Sequence, residues 1–253
     1  MFDPNPRSDY FGEGHNDFRR SVRQFVEREI APYVNDWDEA GSFPRELYRK
    51  AAAVGIIGLG YPEEYGGTPA DAFYGIVCAE EIARAGCGGL QASLGSHGIG
   101  LPPLVAHGSE ALKRRVVPQV LSGEKIAALA ITEPGGGSDV AALRTTAVRD
   151  GDHYIVDGEK TFITSGLRAD FLSVAVRTDS GNRGAGGVSL LLVEGGTPGL
   201  SRTPLKKMGW WASDTAHLRF DGCRVPVANL IGAEGKGFKA IMHNFNHERL
   251  LMA

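Results

Sequence analysis

The chain has 253 residues, of which 42% are hydrophobic and 23% are charged, a composition typical of a globular protein with one large domain or two ordinary ones. Its formal net charge of −3 excludes a general attraction to nucleic acid or to anionic lipid. No segment is apolar for long enough to predict a membrane span, and the polar, turn-rich opening does not predict a signal peptide.

The first half of the chain is predicted to be helical. In NDFRRSVRQFVEREIAP, apolar residues recur at three- and four-residue spacing, and Pro32 ends the predicted helix. The segment SFPRELYRKAAAVG has Pro44 near a helix start and Gly55 at its stop. Another amphipathic run, ADAFYGIVCAEEIARAG, is closed by Gly86.

The last predicted helical region of this half begins at Ser109, whose side chain can accept a hydrogen bond from the first turn of EALKRRV. Pro118 is expected to divide the region into two short helices, because proline has no N–H to donate. The basic run Lys113-Arg114-Arg115 lies inside the helical pattern, so we interpret it as a solvated helix face.

From residue 126 onward the sequence changes to short runs rich in β-branched residues, which predict strands. The runs are AALAIT, TTAVRD, HYIVDG, KTFITS, FLSVAVRT, GVSLLLVE, HLRFDG and CRVPVANLI. Asp150-Gly151 and Asp157-Gly158 predict hairpin turns, because glycine adopts the positive φ that such turns require. Strands this close together favour an antiparallel barrel or sandwich over a Rossmann unit.

Helical spacing returns in FKAIMHNFNHERLLMA, where no stop signal follows the apolar stripe, and we therefore expect the chain to be the front part of a longer protein. The predicted fold class is α+β and multidomain. It comprises an N-terminal all-α helical domain over residues 1–125, a middle antiparallel β-barrel-like domain over 126–234, and over 235–253 the first helix of a truncated C-terminal helical bundle.

The glycine-rich stretch ITEPGGGSDV, residues 131–140, contains no lysine or arginine, and Glu133 and Asp139 flank its glycines. A Walker loop requires a lysine, and a Rossmann fingerprint requires G-x-G-x-x-G between a strand and a helix, so neither pattern fits. Two interpretations stay open: a plain β-turn, or a loop whose backbone approaches a flat or neutral polar ligand, with Thr132 and Ser138 as hydroxyl donors.

The segment EKTFITSG predicts a strand in which Phe162 and Thr164 lie on the same face. An aromatic ring and a hydroxyl so placed can stack on a ligand ring and hydrogen-bond to its edge. An ordinary half-buried strand is the alternative interpretation.

Three motifs, ALAITEPGGGSD, EKTFITSG and MGWWASDTAHLRFDGCRVP, resemble in order and spacing the acyl-CoA dehydrogenase family, FAD enzymes that oxidise acyl thioesters. The segment WDEAGSFPRELYRKAAAVGIIGLGYPEEYGG resembles the N-terminal helical domain of the same family, so the resemblance covers essentially the whole chain. The ending HERLLMA is most similar to the long-chain and isovaleryl branches. The resemblance implies conversion of an acyl-CoA to a trans-2-enoyl-CoA, with electrons passed to an electron-transferring flavoprotein.

The resemblance also implies that the loop and the strand hold the isoalloxazine ring of FAD. The implied cofactor-binding residues are Leu129, Ile131, Thr132, Gly137, Ser138, Phe162, Ile163 and Thr164. The Ile131 backbone and the Thr132 hydroxyl would reach the polar edge of the ring, and Ser138 would also touch the thioester substrate. Phe162 would pack on the ring, where many relatives have tryptophan. Thr164 would donate near N5, which favours the reduced flavin because it stabilises the arriving negative charge.

The implied catalytic base is Glu248, because the long-chain and isovaleryl branches carry a glutamate directly before an arginine in this helix. A carboxylate whose pKa is raised by burial suits the removal of a weakly acidic α-proton. Asn246 and Arg249 are the implied substrate-side neighbours. From the residues alone, a surface Glu-Arg pair stays open as the alternative.

The sequence predicts neither a metal site nor a disulfide framework. His243 and His247 are four residues apart, a spacing that zinc can use, but no H-E-x-x-H glutamate and no third ligand accompany them. Cys78, Cys87 and Cys223 are odd in number and share no ligand spacing, which favours a reducing, cytoplasmic compartment.

The resemblance implies a homotetramer when the protein is complete, with acyl-CoA as the substrate, and the net charge predicts no nucleic-acid partner. Two rival functions stay open at this point. One is an acyl-CoA oxidase on the same scaffold, which differs in letting oxygen reach the reduced flavin. The other is a non-catalytic fragment that binds acyl-CoA or a partner subunit without turnover. Measuring peroxide release would separate an oxidase from a dehydrogenase. Measuring FAD binding would separate a non-catalytic fragment from the enzyme.

Overall fold

The computed structural model describes residues 9–182 and 184–252, and near the C-terminal end it describes side chains through residue 243 and at residue 245. Within these residues a helical half precedes a β-sheet half, as the sequence predicts. One apolar core cluster contains residues of both halves, for example Phe25 and Leu90 with Val156 and Leu172. The two halves are therefore packed together and do not sit apart on a linker.

The helical half consists of short helices joined by tight turns. They are α1 (Glu13–Phe25), α2 (Val34–Ala40), α3 (Glu46–Ala53), α4 (Ala72–Ala83), α5 (Gly88–Leu94), α6 (His97–Gly100), α7 (Pro102–His107) and α8 (Glu110–Leu121). A π-helical turn, Val26–Ile30, continues α1 and ends just before Pro32. Gly55 and Gly86 follow α3 and α4 with φ values of +82° and +75°, as expected for glycines that stop helices.

The predicted helix start at Ser109 is confirmed, since its Oγ accepts a hydrogen bond from the Leu112 N–H at 3.3 Å. The predicted break at Pro118 is wrong. This proline lies inside α8, which continues to Leu121, and the Pro118 carbonyl accepts a hydrogen bond from the Ser122 N–H at 3.0 Å. Because Pro118 is in the last turn, the burial of its neighbours outweighs one lost backbone hydrogen bond.

The second half forms an eight-stranded sheet. Its strands are β1 (Ala127–Ala130), β2 (Thr146–Asp150), β3 (His153–Thr164), β4 (Phe171–Arg177), β5 (Val188–Glu194), β6 (Leu200–Pro204), β7 (Thr215–Pro226) and β8 (Leu230–Ile231). Their order is β6-β7-β3-β2-β4-β5-β8, and β1 pairs with β4. Neighbours are antiparallel except that β1 and β2 pair with β4 in parallel.

Asp150-Gly151 lies in the turn between β2 and β3, with Gly151 at a φ of +61°, as predicted. The second predicted hairpin, at Asp157-Gly158, is wrong because both residues lie inside the long strand β3. There the register against β7 shifts, and Gly158 has a φ of +145°. A Cβ at Gly158 would be 2.7 Å from Thr145 Cα, so this glycine serves a β-bulge and close backbone contact.

The helix α9 (Gly237–Met252) follows the sheet and lies against α6, α7 and β5. A Cβ added at Gly237 would be 2.5 Å from the Ser189 carbonyl carbon, so the helix begins in direct contact with the sheet backbone. Similarly, a Cβ at Gly100 would be 2.9 Å from the carbonyl carbon of Ala128, which places the end of α6 against β1. In the described parts of the chain, every helix is too short or too polar to cross a membrane.

Candidate functional site

The glycine-rich loop begins where β1 ends and folds into a tight turn. Glu133 and Gly136 exchange two backbone hydrogen bonds of 3.1 Å each. A Cβ placed on Gly135 or Gly136 would have no atom within 4 Å, so the backbone of the turn is open to approach. Gly137 lies beside Thr132, where an added Cβ would be 3.0 Å from Cγ2 of the threonine.

The loop is attached to the sheet by a buried ion pair. Lys160 Nζ on β3 is 2.8 Å from Glu133 Oε1 and 3.0 Å from the Ile131 carbonyl oxygen. The Glu133 carboxylate also accepts from the backbone N–H groups of Arg144 and Thr145, at 2.6 and 2.8 Å, and from the Thr145 hydroxyl at 2.6 Å. These contacts join the loop, β3 and the approach to β2 in one hydrogen-bonded cluster.

Both members of this pair are charged at neutral pH. Burial alone would raise the pKa of the Glu133 carboxyl, but the charge and hydrogen bond of Lys160 and the donors from Thr145 lower it below its ordinary value. Burial lowers the pKa of the Lys160 ammonium to about 8, against the opposing effect of Glu133. Glu133, one of the two acidic residues that flank the glycines, therefore holds the loop against β3.

The strand β3 is irregular in its last part. Its register against β7 shifts between Lys160 and Ile163, so the simple pleat predicted for this segment is interrupted by a bulge. Phe162 lies in the bulge with a φ of +59°, and its side chain is 69% exposed. Ser165, directly after the strand, has a φ of +58° and is fully buried. Non-glycine residues in this left-handed region are uncommon and concentrate at functional sites.

The loop and the end of β3 lie side by side. The Thr161 N–H donates to the Thr132 carbonyl oxygen at 2.8 Å, which links the two segments directly. Thr132 and Thr164 are half-buried, while Ser138 is exposed. Among the described residues, the hydroxyls of Thr132, Ser138 and Thr164 have no hydrogen-bond partner, so all three are available to a ligand.

This set of groups suits the ring portion of FAD. An exposed aromatic side chain, unpaired hydroxyls and bare glycine backbone can bind a flat ring with a polar edge. Residues 131–140 of the loop include no lysine or arginine, and Lys160, which binds the loop from β3, is already paired with Glu133. The residues therefore fit an uncharged ring better than a phosphate.

Three of the predicted cofactor-binding residues are buried. Leu129, Ile131 and Ile163 are 8%, 7% and 3% exposed, and their side chains belong to the apolar core. The Ile131 carbonyl oxygen already accepts a hydrogen bond from Lys160. Direct contact between these three residues and a cofactor stays a prediction.

The predicted catalytic and substrate-binding residues are on α9. The backbone at Asn246, Glu248 and Arg249 is helical, but their side chains lie outside the described residues, and so does that of His247. Their roles stay predictions. In the described part of the chain, no group of three or more His, Cys, Asp or Glu side chains could hold a metal ion.

A separate cavity of about 600 Å³ lies beside α8 and the start of β4. Its charged lining residues are Arg115, Lys125, Arg168, Asp170, Glu194 and Arg202. Arg115 pairs with Glu194, and Lys125 Nζ is 3.4 Å from Asp170 Oδ1, so charges in the lining are partly compensated. No residue of the predicted cofactor site lines this cavity.

Comparison with known proteins gives consistent results. The family model for the acyl-CoA dehydrogenase N-terminal domain matches residues 12–124, and the model for the acyl-CoA dehydrogenase middle domain matches residues 128–223. The mitochondrial long-chain specific acyl-CoA dehydrogenase of Sus scrofa is 40% identical over 245 residues, which are 96% of this chain and 57% of that protein. The chain thus spans little more than half the length of this curated relative.

Solved structures agree with the sequence comparison. An acyl-CoA dehydrogenase from Geobacillus kaustophilus matches with a TM-score of 0.92 and 42% identity, over 96% of this chain and 64% of that one. An acyl-CoA dehydrogenase from Bacillus anthracis, solved in complex with FAD, matches with a TM-score of 0.88 and 33% identity. That match covers 100% of this chain and 42% of the other.

Proposed function

Because the chain belongs to the acyl-CoA dehydrogenase family, we propose that the complete protein is an FAD-dependent enzyme that converts an acyl-CoA to a trans-2-enoyl-CoA. When bound, FAD supplies the hydride acceptor for this oxidation. The observation that carries the proposal is the pairing of the glycine-rich loop with the end of β3. This pairing brings the free hydroxyls of Thr132 and Thr164 to adjoining segments, next to the exposed ring of Phe162.

In this proposal, Phe162 packs on one face of the flavin ring, and the two threonines donate hydrogen bonds to its polar edge. The bulge in β3 supports this role, because it turns a large aromatic side chain outward where burial would otherwise be favourable. Donors that are already in place need no reorganisation when negative charge arrives at the ring. Ser138, on the same loop, is proposed to contact the thioester.

The proposed base is Glu248 on α9, which would accept the α-proton of the acyl group. The start of α9 is fixed on the backbone of β5 at Gly237, so the helix extends from the same sheet that presents the loop. A base on a rigid helix is already oriented, so no conformational rearrangement of the base is needed at each turnover. Asn246 and Arg249 are proposed as neighbours of the substrate.

An electron-transferring flavoprotein is the proposed electron acceptor, and a homotetramer the proposed assembly. Among the solved structures that resemble this chain is a chain from a study of the electron transferring flavoprotein of Acidaminococcus fermentans. Peroxide release in each turnover would instead identify an oxidase, because an oxidase passes its electrons to oxygen. The compartment is proposed to be the cytoplasm.

The test uses the complete protein, reconstituted with FAD and mixed with an acyl-CoA in the absence of oxygen. We expect the visible absorbance of oxidised flavin to bleach, and we expect Glu248→Gln to slow that bleaching by several orders of magnitude. The exposed Glu39, remote on α2, supplies the matched control Glu39→Gln, which should bleach like the parent. Failure of the parent to bind FAD refutes the proposed function, whereas bleaching by Glu248→Gln at the parental rate refutes only the base assignment.

A further inference from the structure

Lys160 has an unusual environment for a lysine. Its ammonium is fully buried and binds oxygen atoms of the two loop residues on either side of Thr132, the Ile131 carbonyl at 3.0 Å and the Glu133 carboxylate at 2.8 Å. The next residue of the strand, Thr161, donates its N–H to the carbonyl of Thr132 itself at 2.8 Å. Two consecutive residues of β3 therefore hold three consecutive residues of the loop.

This arrangement sets the position of Thr132 relative to Thr164. Thr164 is four residues beyond Lys160 on the same strand, and Thr132 is attached to that strand through both of its neighbours. One ammonium binds an oxygen of the residue before Thr132 and an oxygen of the residue after it. The backbone bonds of Thr132, which lie between these two oxygens, can therefore rotate less. The two half-buried hydroxyls are thus held in register by the ion pair.

Lys160 also acts on the backbone electrostatically. Its hydrogen bond to the Ile131 carbonyl polarises the peptide group between Ile131 and Thr132, and the N–H of that group belongs to Thr132. Within the part of the chain that the structure describes, this N–H has no hydrogen-bond partner. Withdrawal of electron density towards the carbonyl oxygen makes it a stronger donor. Water does not screen the effect at a fully buried ammonium.

We infer that Lys160 is a positioning residue for the flavin: it fixes Thr132 at the edge of the ring and strengthens the Thr132 donors, which favours the reduced state. The inference rests on the proposed function. Glu133 keeps the ammonium charged and in place, while its own negative charge is distributed over donors from Lys160, Arg144 and Thr145.

The decisive variant is Lys160→Met combined with Glu133→Gln, which removes both charges and leaves side chains of similar length. We expect the complete protein with these changes to bind reduced FAD less tightly, relative to oxidised FAD, by about tenfold. That ratio corresponds to a two-electron midpoint potential about 30 mV lower. The chemically identical change at an ion pair of the helical half, Lys50→Met with Glu29→Gln, is the matched control and should keep the parental potential.

A second comparison tests whether Lys160 acts through Thr132. In a Thr132→Val background, the charge-removing double variant should lower the potential by clearly less than it does in the parent, because the hydroxyl is already missing. An equal drop in both backgrounds shows that the lysine does not act through the Thr132 hydroxyl and overturns that part of the inference, leaving the Thr132 N–H, which valine keeps, as the route. The whole inference is overturned if the charge-removing double variant has the parental potential in the parent background.

Misfolding of the double variant, seen as loss of the parental circular dichroism, leaves the decision to Glu133→Gln alone. This variant removes the carboxylate that keeps the ammonium charged and in place, so it should also lower the potential. A potential equal to that of the parent contradicts the inference. If the parent itself binds no FAD, it is the proposed function that fails.

Discussion

The Asp214 carboxylate accepts a hydrogen bond from Arg168 Nε at 2.9 Å and another from the Leu167 N–H at 3.1 Å. The carboxylate is almost fully buried, and the Arg168 guanidinium lies 4.5 Å above the ring of Phe43 in the helical half. The Arg168–Asp214 pair therefore attaches the segment that follows β3 to the helical half.

We expect Asp214→Asn to destabilise the complete protein by about 3 kcal/mol, because it leaves the Arg168 charge buried without its partner. Asp221→Asn, in the strand β7 that begins directly after Asp214 but exposed, is the control and should change the free energy of unfolding by less than about 0.5 kcal/mol. Urea unfolding measures both. Equal stability of the two variants would show that the buried pair contributes no more than a surface charge.

The backbone of Trp210 lies against Gly89 in α5. A Cβ added at Gly89 would be 2.8 Å from the Trp210 carbonyl carbon, and backbone at that point cannot move away cheaply because Trp210 has a φ of +57°. We expect Gly89→Ala to cost about 2 kcal/mol through this overlap. Gly98→Ala, in α6 with no atom within 4 Å of the added Cβ, should instead stabilise by about 0.5 kcal/mol. Thermal unfolding that ranks the two variants in the opposite order contradicts the close contact.

Glu81 is a fully buried carboxylate surrounded by Arg19, Arg23 and Arg84. Burial would raise the pKa of Glu81, but the hydrogen bonds of Arg23 and Arg19 and the charge of Arg84 outweigh it and lower the pKa below 4.5. A lowered pKa contributes stability that is complete above the unfolded value and is lost as the pH falls through the folded value.

The parent should therefore lose stability steeply below about pH 4.5, and Glu81→Gln should not show this part of the loss. At neutral pH the same variant should be less stable by about 3 kcal/mol, because three arginines lose their shared partner. Glu80→Gln, one residue away and 40% exposed, is the control. If the stability difference between parent and Glu81→Gln does not change with pH, the carboxylate is not the group that titrates.

Local signals in the sequence predicted those parts of the fold that depend on neighbouring residues. The helix cap at Ser109 and the helix stops at Gly55 and Gly86 arise from backbone geometry within a single turn. The errors at Pro118 and Gly158 have a different origin. Gly158 looks like a hairpin glycine, but its role depends on contact with Thr145, which directly precedes β2. Pattern alone does not encode that contact.

The candidate site also has parts that local sequence signals predict and parts that depend on contacts between distant residues. Its glycines, hydroxyls and aromatic residue were recognisable as motifs, whereas the clamp between Glu133 and Lys160 joins residues 27 positions apart. A signal for it existed, since a lysine inside a strand pattern needs a buried partner and Glu133 was the acidic residue at the start of the loop. The bulge that turns Phe162 outward had no local signal, because it is set by the register of β3 against β7.

Phe162 combines a positive φ of +59° with a largely exposed ring, so it contributes little to folding and is held in an unfavourable backbone conformation. Phe162→Gly removes that strain, worth about 1 to 2 kcal/mol, and adds an entropic cost of about 0.5 to 1 kcal/mol in the unfolded chain. The net change in the stability of the protein without cofactor should therefore be below about 1.5 kcal/mol.

The same variant should bind FAD at least tenfold more weakly, because the ring contact is lost while the fold is kept. Phe162→Tyr keeps an aromatic ring and should bind FAD like the parent. Fluorescence titration with FAD measures affinity, and thermal unfolding of the protein without cofactor measures stability. Parental FAD affinity in Phe162→Gly would show that the exposed ring does not contact the cofactor, and a large loss of stability would show that the ring serves the fold.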